Sequence, residues 1–293
     1  MKNILKKSYL SISSELGIYS NLYKDIYFDK KHGIKETQHN FIKANNLASR
    51  FKNSDKFIIS ELGFGTGLSF LMTLKLWKET KKPNAKLIYI SFESAPLTKI
   101  ELNNVYKKVS GVKILFNQLI KKLPILYQST HRIFFDSENV ELILIYDDFN
   151  SLKNFKFKAD AWFLDGFAPK KNKSAWNSKL FEQIYLSTKF QGTFSTFTSA
   201  GHVRRGLSNS GFSVSKVAGF GNKKESLIGI KKPPLSKINK VSSSKKYIGP
   251  VAIIGSGISG ASLAYSLRKR NIECFLVDKS SKYASGASGN KLA

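Results

Sequence analysis

The chain has 293 residues, 42% of them hydrophobic, and sets 48 lysines and arginines against 20 acids for a net charge of +28. A single cysteine, Cys274, excludes an intramolecular disulfide framework and fits a reducing, cytoplasmic compartment, and four histidines (His32, His39, His131, His202) without ligand spacing argue against a metal site. So basic a surface attracts polyanions, nucleic acid first among them, while the longest weakly charged run, Val251–Leu267, is too short to span a bilayer and points away from a membrane role.

Residues 1–50 predict a loop or short-strand arm bearing Tyr19, Tyr23, Tyr27 and Phe28, then a helix near Glu36–Arg50; Leu10–Leu16, broken by serines and Glu15, does not make a signal peptide. From Phe57 strands and helices alternate. Phe57–Glu61 reads as a strand that runs into Glu61-Leu62-Gly63-Phe64-Gly65-Thr66-Gly67, and Leu68–Thr80 reads as a helix. Three alternating glycines between strand and helix let the backbone take positive φ and bring a ligand close to the unpaired N–H groups of a helix start. Glu61 would repel phosphate. A phosphate-free, cationic nucleotide ligand suits the loop better, and S-adenosylmethionine is one.

Lys86–Glu93 predicts the next strand, again ending in an acid, and Pro96–Val109 a helix with proline near its start. Residues 113–130 read as an insertion with short helices. His131–Asp148 holds two β-rich runs around Asp136-Ser137-Glu138-Asn139, a hairpin pattern. Ala161–Asp165 is a buried strand, Asn177–Thr188 a helix, Gly192–Thr198 a strand and Ala200–Ser210 a helix. Phe212–Val217 and Glu225–Ile230 close the series with no helix between them. The alternation predicts an α/β doubly wound sheet, and the final strand pair an antiparallel strand at its edge. That is the mixed seven-stranded, Rossmann-like sheet of class I S-adenosylmethionine-dependent methyltransferases.

Lys231–Gly249, rich in proline, serine and lysine, reads as a linker. Beyond it Val251–Ile254 leads into Gly255-Ser256-Gly257-Ile258-Ser259-Gly260, then a helix over Ala261–Arg270 and a strand over Glu273–Val277 that ends in Asp278. Glycines at 255, 257 and 260 with an acid 23 residues after the first make a dinucleotide-binding fingerprint. The expected organisation is therefore 1–232 as a methyltransferase domain, 233–249 as a linker, and 250–293 as a partial βαβ unit of a flavin-binding domain.

In doubly wound sheets ligands sit at the carboxyl ends of the strands. Acids stand at four such ends: Glu61, Glu93, the pair Asp147 and Asp148, and Asp165. Glu93, ending the second strand, can accept both ribose hydroxyls of an adenosyl group, and Asp148, better than Asp147, the adenine amine. Asp165 opens Asp165-Gly166-Phe167-Ala168-Pro169, which resembles the acid-or-amide, Pro-Pro-aromatic loop of amino-group methyltransferases. An amine attacks a methyl only with its lone pair free, and a carboxylate that holds one N–H aims the lone pair and can take the proton. Phe167 and Trp176 are candidates to stack on a nucleobase, or else belong to the core.

Together ELGFGTGLSFL, AWFLDGFAPKKNKSAW, FSTFTSAGHVRRGL and GFGNKKE resemble the methyltransferase half of the bifunctional tRNA 5-methylaminomethyl-2-thiouridine biosynthesis family, MnmC, and VAIIGSGISGASLAYSL is similar to the start of its flavin-dependent oxidoreductase half. The resemblance covers about residues 15–293. It implies methylation, with S-adenosylmethionine, of the aminomethyl group on the tRNA wobble uridine, after a flavin-dependent step has exposed that amine. It implies that Glu61, Gly63, Phe64, Gly65, Thr66, Gly67 and Glu93 hold the methyl donor and that Asp165 meets the amine. It makes Lys170, Lys171, Arg204, Arg205, Lys223 and Lys224, with Trp176, candidate RNA contacts. It makes Gly255, Gly257, Gly260 and Asp278 the fingerprint of an incomplete FAD site. Lys173, Ala175 and Asp147 depart from the family's usual proline, methionine and glycine. Only one βαβ unit and Ala284–Asn290 of the flavin half are present, so FAD is not expected to bind, and a separately encoded flavin oxidoreductase is an expected partner. The competing readings are another amine methyltransferase, an inactive RNA-binding relative, and an oxidoreductase built on Gly255–Asp278.

Overall fold

A strand such as Lys56–Leu62, buried from Phe57 onward almost without interruption, needs cover on both faces. The computed structural model, which describes residues 5, 9–13, 17–29, 31–109, 111–232 and 249–280, supplies it. The chain divides into two compact units, Met1–Pro233 and Pro234–Ala293. Most of the predicted linker, 233–248, and the Ala284–Asn290 stretch lie outside the described residues.

The first unit opens with an antiparallel three-stranded sheet, β1 (Leu10–Ser13), β2 (Gly17–Ser20) and β3 (Asp25–Phe28). Helix α1 (Gly33–Thr37) continues into a π-helical turn, Gln38–Lys43, and α2 (Leu47–Lys52) follows. The single helix predicted over Glu36–Arg50 is thus broken. Asn45 donates to the Phe41 carbonyl (3.0 Å) and to Ser195 Oγ (2.7 Å), and Asn46 takes the left-handed conformation at φ 49°.

Next come β4 (Lys56–Leu62), α3 (Leu68–Thr80), β5 (Lys86–Phe92), α4 (Lys99–Tyr106), α5 (Lys113–Lys122), β6 (Thr130–Phe135), β7 (Val140–Ile145), β8 (Ala159–Leu164), α6 (Ser178–Leu186), β9 (Thr188–Thr196), α7 (Gly201–Asn209), β10 (Phe212–Ala218) and β11 (Glu225–Lys231). They build one eight-stranded sheet in the order β10-β11-β9-β8-β4-β5-β7-β6. β9, β8, β4, β5 and β7 run parallel, while β6 pairs antiparallel with β7. Eight strands rather than seven form because the Asp136–Asn139 hairpin, turned by Asn139 at φ 55°, adds β6 as an antiparallel edge. Of the terminal pair, β11 is the antiparallel strand, and it sits one place inside the other edge, between β9 and β10.

Side chains alternate between two cores, one on each face of the sheet. On β8, Ala161 and Phe163 join Trp77, Phe70 and Tyr89 on one face, whereas Trp162 and Leu164 join Phe181 and Phe194 on the other. The helices covering these faces hold the parallel strands in register, so the ends of β4, β5 and β8 are presented side by side.

The second unit pairs β12 (Val251–Ile254) and β13 (Cys274–Val277) in parallel through α8 (Ile258–Arg268). Among the described residues no helix is long and apolar enough to cross a membrane, and no group of three His, Cys, Asp or Glu side chains is placed to hold a metal ion.

Candidate active site

At the carboxyl ends of β4, β5 and β8 lies a cavity of about 240 Å³, lined by the glycine loop, Glu93, Asp165 and, from the N-terminal sheet, Tyr23, Asp25 and Tyr27. The loop after β4 turns on Gly63 (φ 90°), Gly65 (φ 51°) and Gly67 (φ 79°). Gly63, Phe64, Gly65 and Thr66 face the cavity; Gly67 is the residue from which α3 starts. A β-carbon on Gly65 would stand 3.1 Å from the Tyr27 ring, so a larger residue there would press on the aromatic wall.

Glu93 ties the end of β5 to this loop. Its carboxylate accepts from the Gly65 N–H and from the Ala95 N–H, each at 2.8 Å. Burial raises its pKa, against the lowering effect of these amides. The Ser94 and Phe64 amides act in the same sense, so four backbone N–H groups of the loop and the β5 end hold this carboxylate.

Asp165 follows β8 and also lines the cavity. Ser69 Oγ donates to its carboxylate at 3.3 Å. Burial, then the charge of Glu36, pushes its pKa up to about 8, with Lys223 and the Ser69 hydrogen bond pulling the other way. Lys223 Nζ is 2.9 Å from Glu36 Oε1 and 4.6 Å from the centre of the Phe197 ring. Glu36, Phe197 and Lys223 all line the same cavity.

Glu61 is placed otherwise than its position in the sequence suggests. It is 1% exposed, does not line the cavity, and accepts from Ser91 Oγ at 2.7 Å. Burial, then the charge of Asp165, holds its carboxyl well above the usual carboxylate range. It lies beneath the loop instead of facing a cationic ligand. Asp148 does not line the cavity either: it accepts from the Asn150 N–H at 2.9 Å, and its neighbour Phe149 supplies the wall. Asp147 accepts from the Asp148 N–H at 2.8 Å and from Gln128.

The aromatic at Phe167 is stacked on Tyr23 with centroids 4.5 Å apart and meets Tyr27 edge-on at 5.0 Å. Trp176 is 5% exposed, and its indole N–H donates to the Phe167 carbonyl at 2.7 Å. So buried an indole has no free face for a base; it braces the loop from below. Asp25 receives the Ala168 N–H at 2.9 Å and pairs with Lys171, whose ammonium also meets the Lys24 carbonyl. Lys171 and Lys223 are therefore occupied within the chain. Lys170, Lys224, Arg204 and Arg205 are exposed, the two arginines on the outer side of α7 opposite buried Val203 and Leu207.

Sequence reasoning missed Asp25, Glu36, Asn40, Ser69 and Phe197 as lining residues, and treated Tyr23 and Tyr27 as unspecific. No local motif marks them. Tyr23 and Tyr27 alone carried a trace, as part of an aromatic cluster in an otherwise polar segment.

In the second unit Gly255 has φ 98°, and a β-carbon on Gly260 would fall 1.8 Å from the Gly255 carbonyl, so glycine is required at both. Gly257 precedes α8. Asp278 accepts from the N–H (2.6 Å) and the hydroxyl (2.8 Å) of Ser256, and backbone N–H bonds from Ser280 and Ser256 lower its pKa to about 2. The turn and the acid fit the adenosine end of a dinucleotide. Among the described residues of this unit α8 buries no residue and Ile254 is 90% exposed.

Residues 110–232 match the S-adenosyl-L-methionine-dependent methyltransferase family, and residues 250–293 match the FAD dependent oxidoreductase family. The chain is 38% identical to the tRNA 5-methylaminomethyl-2-thiouridine biosynthesis bifunctional protein MnmC of Marinomonas sp. (strain MWYL1), over 98% of this chain and 44% of that protein. It is 39% identical to the protein of the same name from Marinobacter nauticus, over 92% of this chain and 43% of the relative. The chain thus spans less than half the length of these relatives. Among solved structures it is similar to the crystal structure of MNMC2 from Aquifex aeolicus, with a TM-score of 0.61 and 22% identity, covering 81% of this chain and 75% of that one. The fold is that of class I S-adenosylmethionine-dependent methyltransferases.

Proposed function

Since this chain is a homologue of the MnmC proteins over the part of them that it spans, we propose that it methylates the primary amine of 5-aminomethyl-uridine, or its 2-thio form, at the wobble position of tRNA, with S-adenosylmethionine as methyl donor. The observation that carries this reading is the lining of the cavity. In a protein of net charge +28, the wall holds four carboxylates (Asp25, Glu36, Glu93, Asp165) against one lysine, Lys223. Such a wall suits ligands that bring ammonium, amine or sulfonium groups, and repels phosphate.

Glu93 and the turn Gly63–Thr66 are the groups that would hold the donor, which when bound supplies an electrophilic methyl on a positively charged sulfur. Asp165 does the remaining work in this reading. An aliphatic amine arrives largely as ammonium, and a carboxyl whose pKa is about 8 is matched to take its proton near neutral pH. The proton passes from the ammonium to the Asp165 carboxylate, and the freed lone pair takes the methyl, forming the N–C bond as the methyl's bond to sulfur breaks and its electron pair stays on sulfur as a neutral thioether. Ser69 holds the Asp165 oxygen in place. Phe167, fixed between Tyr23, Tyr27 and the Trp176 brace, bounds the space in which the amine must lie.

Exposed Lys170, Lys224, Arg204 and Arg205 are the proposed contacts to the RNA backbone.

The test is to incubate the chain with labelled donor and tRNA from cells lacking the methylation step, then digest and identify the nucleoside. Methylaminomethyl-uridine is expected. Label on another nucleoside, or none at all, overturns the proposal.

A further inference from the structure

Six buried side-chain polar atoms find no hydrogen-bond partner among the described residues: Asn40 Oδ1, Ser60 Oγ, Tyr89 Oη, Gln118 Oε1, Ser151 Oγ and Trp162 Nε1. Of these residues Asn40 alone lines the cavity. It is 2% exposed, so water in bulk does not reach it, and a buried acceptor without a donor is a standing cost to the fold.

The backbone around it is also out of the ordinary. Asn40 sits within the π-helical turn Gln38–Lys43, a geometry found mostly as single turns and frequently at functional sites. That turn follows directly on α1, which carries Glu36 and Thr37 to the same cavity. The segment therefore aims one carboxylate and one amide at the space that Asp165 bounds from β8. Glu36 is paired with Lys223, and Asp165 with Ser69. The Asn40 carbonyl, unlike these, accepts from no donor among the described residues.

We propose that the Asn40 side-chain carbonyl receives an N–H from the amine end of a bound ligand, making Asn40 a positioning residue for methyl transfer. The inference rests on the function proposed above. Two ligands of that reaction bring the chemistry: the α-ammonium of the methyl donor and the aminomethyl group of the acceptor uridine.

The experiment compares full-length wild type with Asn40→Ala and Asn40→Asp, the second of which keeps an acceptor oxygen at the same reach. Binding of S-adenosylmethionine is measured by calorimetry, and kcat and KM for unmethylated tRNA are measured at saturating donor. Melting curves check that each variant folds, and Asn40→Leu, which fills the space without an acceptor, replaces Asn40→Ala should alanine fail to fold. If the donor supplies the N–H, Asn40→Ala weakens donor binding about tenfold, the factor one ordinary hydrogen bond carries, and Asn40→Asp restores it. If the uridine amine supplies it, donor binding stays within twofold while kcat falls about tenfold, again with rescue by aspartate. Both affinity and kcat within twofold of wild type in the acceptor-free variant overturn the proposal, as does an equal loss in the alanine and aspartate variants. A wild-type chain that binds donor but methylates no tRNA defeats the proposed function instead, and the donor-binding arm still reads Asn40.

Discussion

A β-carbon added to Gly63 would stand 3.0 Å from the carbonyl oxygen of Asp165. The first glycine of the loop and the acid at the end of β8 are thus packed backbone to backbone, and the loop cannot shift without moving Asp165. Gly63 is doubly fixed, because its φ of 90° is one that other residues adopt only at a cost of about 1–3 kcal/mol. Gly63→Ala is expected to destabilise the chain by about that amount in denaturant melts, to weaken donor binding, and to lower kcat as well, since the displaced carbonyl belongs to the residue proposed as the base. A variant that loses donor affinity and keeps kcat would show that the two sites are mechanically independent.

Asp165→Asn should abolish methylation and leave donor binding within roughly tenfold, because base and positioning losses act mainly in the transition state. It should also stabilise the protein. The folded carboxyl titrates near 8 and the unfolded one near 4, so wild type holds in the fold a proton it would otherwise release. That contribution is fully present below about pH 4 and is lost as the pH rises through 8. The melting temperature of Asp165→Asn relative to wild type should therefore be equal near pH 4, rise across the interval, and level off above pH 8. A constant offset at all pH values would mean that Asp165 is not the group titrating.

The acids at Glu93 and Asp165 were legible because an apolar run that ends in a carboxylate marks both the strand and its carboxyl end. Glu61 obeyed the same pattern and yet turned under the loop, where the Ser91 hydroxyl on the neighbouring strand donates to it; nothing in its own segment tells a cavity acid from a buried one. Asp25 reaches the Asp165 loop across 143 positions of sequence, through the Ala168 N–H, and such a pairing leaves no spacing to read. The break in the Glu36–Arg50 helix was equally hidden. At the break Asn45 hydrogen-bonds to Ser195 on β9, and Asn40 lies in the π turn that precedes it. For Trp176 the sequence left stacking on a base and belonging to the core both open, because an aromatic in a loop motif says nothing of whether its ring faces solvent or supports the loop.

If Arg204 and Arg205 lie against the RNA backbone, their contribution must be screened by salt. Replacing both with alanine should weaken tRNA binding at low ionic strength and lower the slope of log affinity against log salt by about 0.7–0.9 for each phosphate no longer neutralised. Folding should be unaffected, because both side chains are exposed on α7. Lys171→Ala should behave differently. Its ammonium is held by Asp25 and the Lys24 carbonyl, so its removal loosens the N-terminal sheet from the Asp165 loop and changes kcat more than the salt slope. Equal slope changes for the arginine pair and for Lys171 would argue against this division.

Glu36 and Lys223 form an ion pair on the cavity wall and act on Asp165 in opposite senses, the carboxylate raising its pKa and the ammonium lowering it. In the proposed mechanism Asp165 acts as the carboxylate, so the rate should climb about tenfold per pH unit on the acid side and flatten above pH 8. Glu36→Gln removes the repulsion, which draws the acid limb toward lower pH and raises kcat severalfold at pH values below the limb's midpoint. Lys223→Met removes the attraction and leaves Glu36 unpaired, which moves the limb toward higher pH and lowers kcat in the same interval. Neither change alters a group at the end of β5 that meets the loop amides, so donor affinity should hold in both. The opposite signs are what matter. Two structural disturbances of the same wall would both reduce kcat at every pH, whereas an electrostatic couple displaces one limb in two directions and leaves the plateau in place. Parallel shifts of the two variants, or a lowered plateau without a shift, would remove Asp165 as the titrating base.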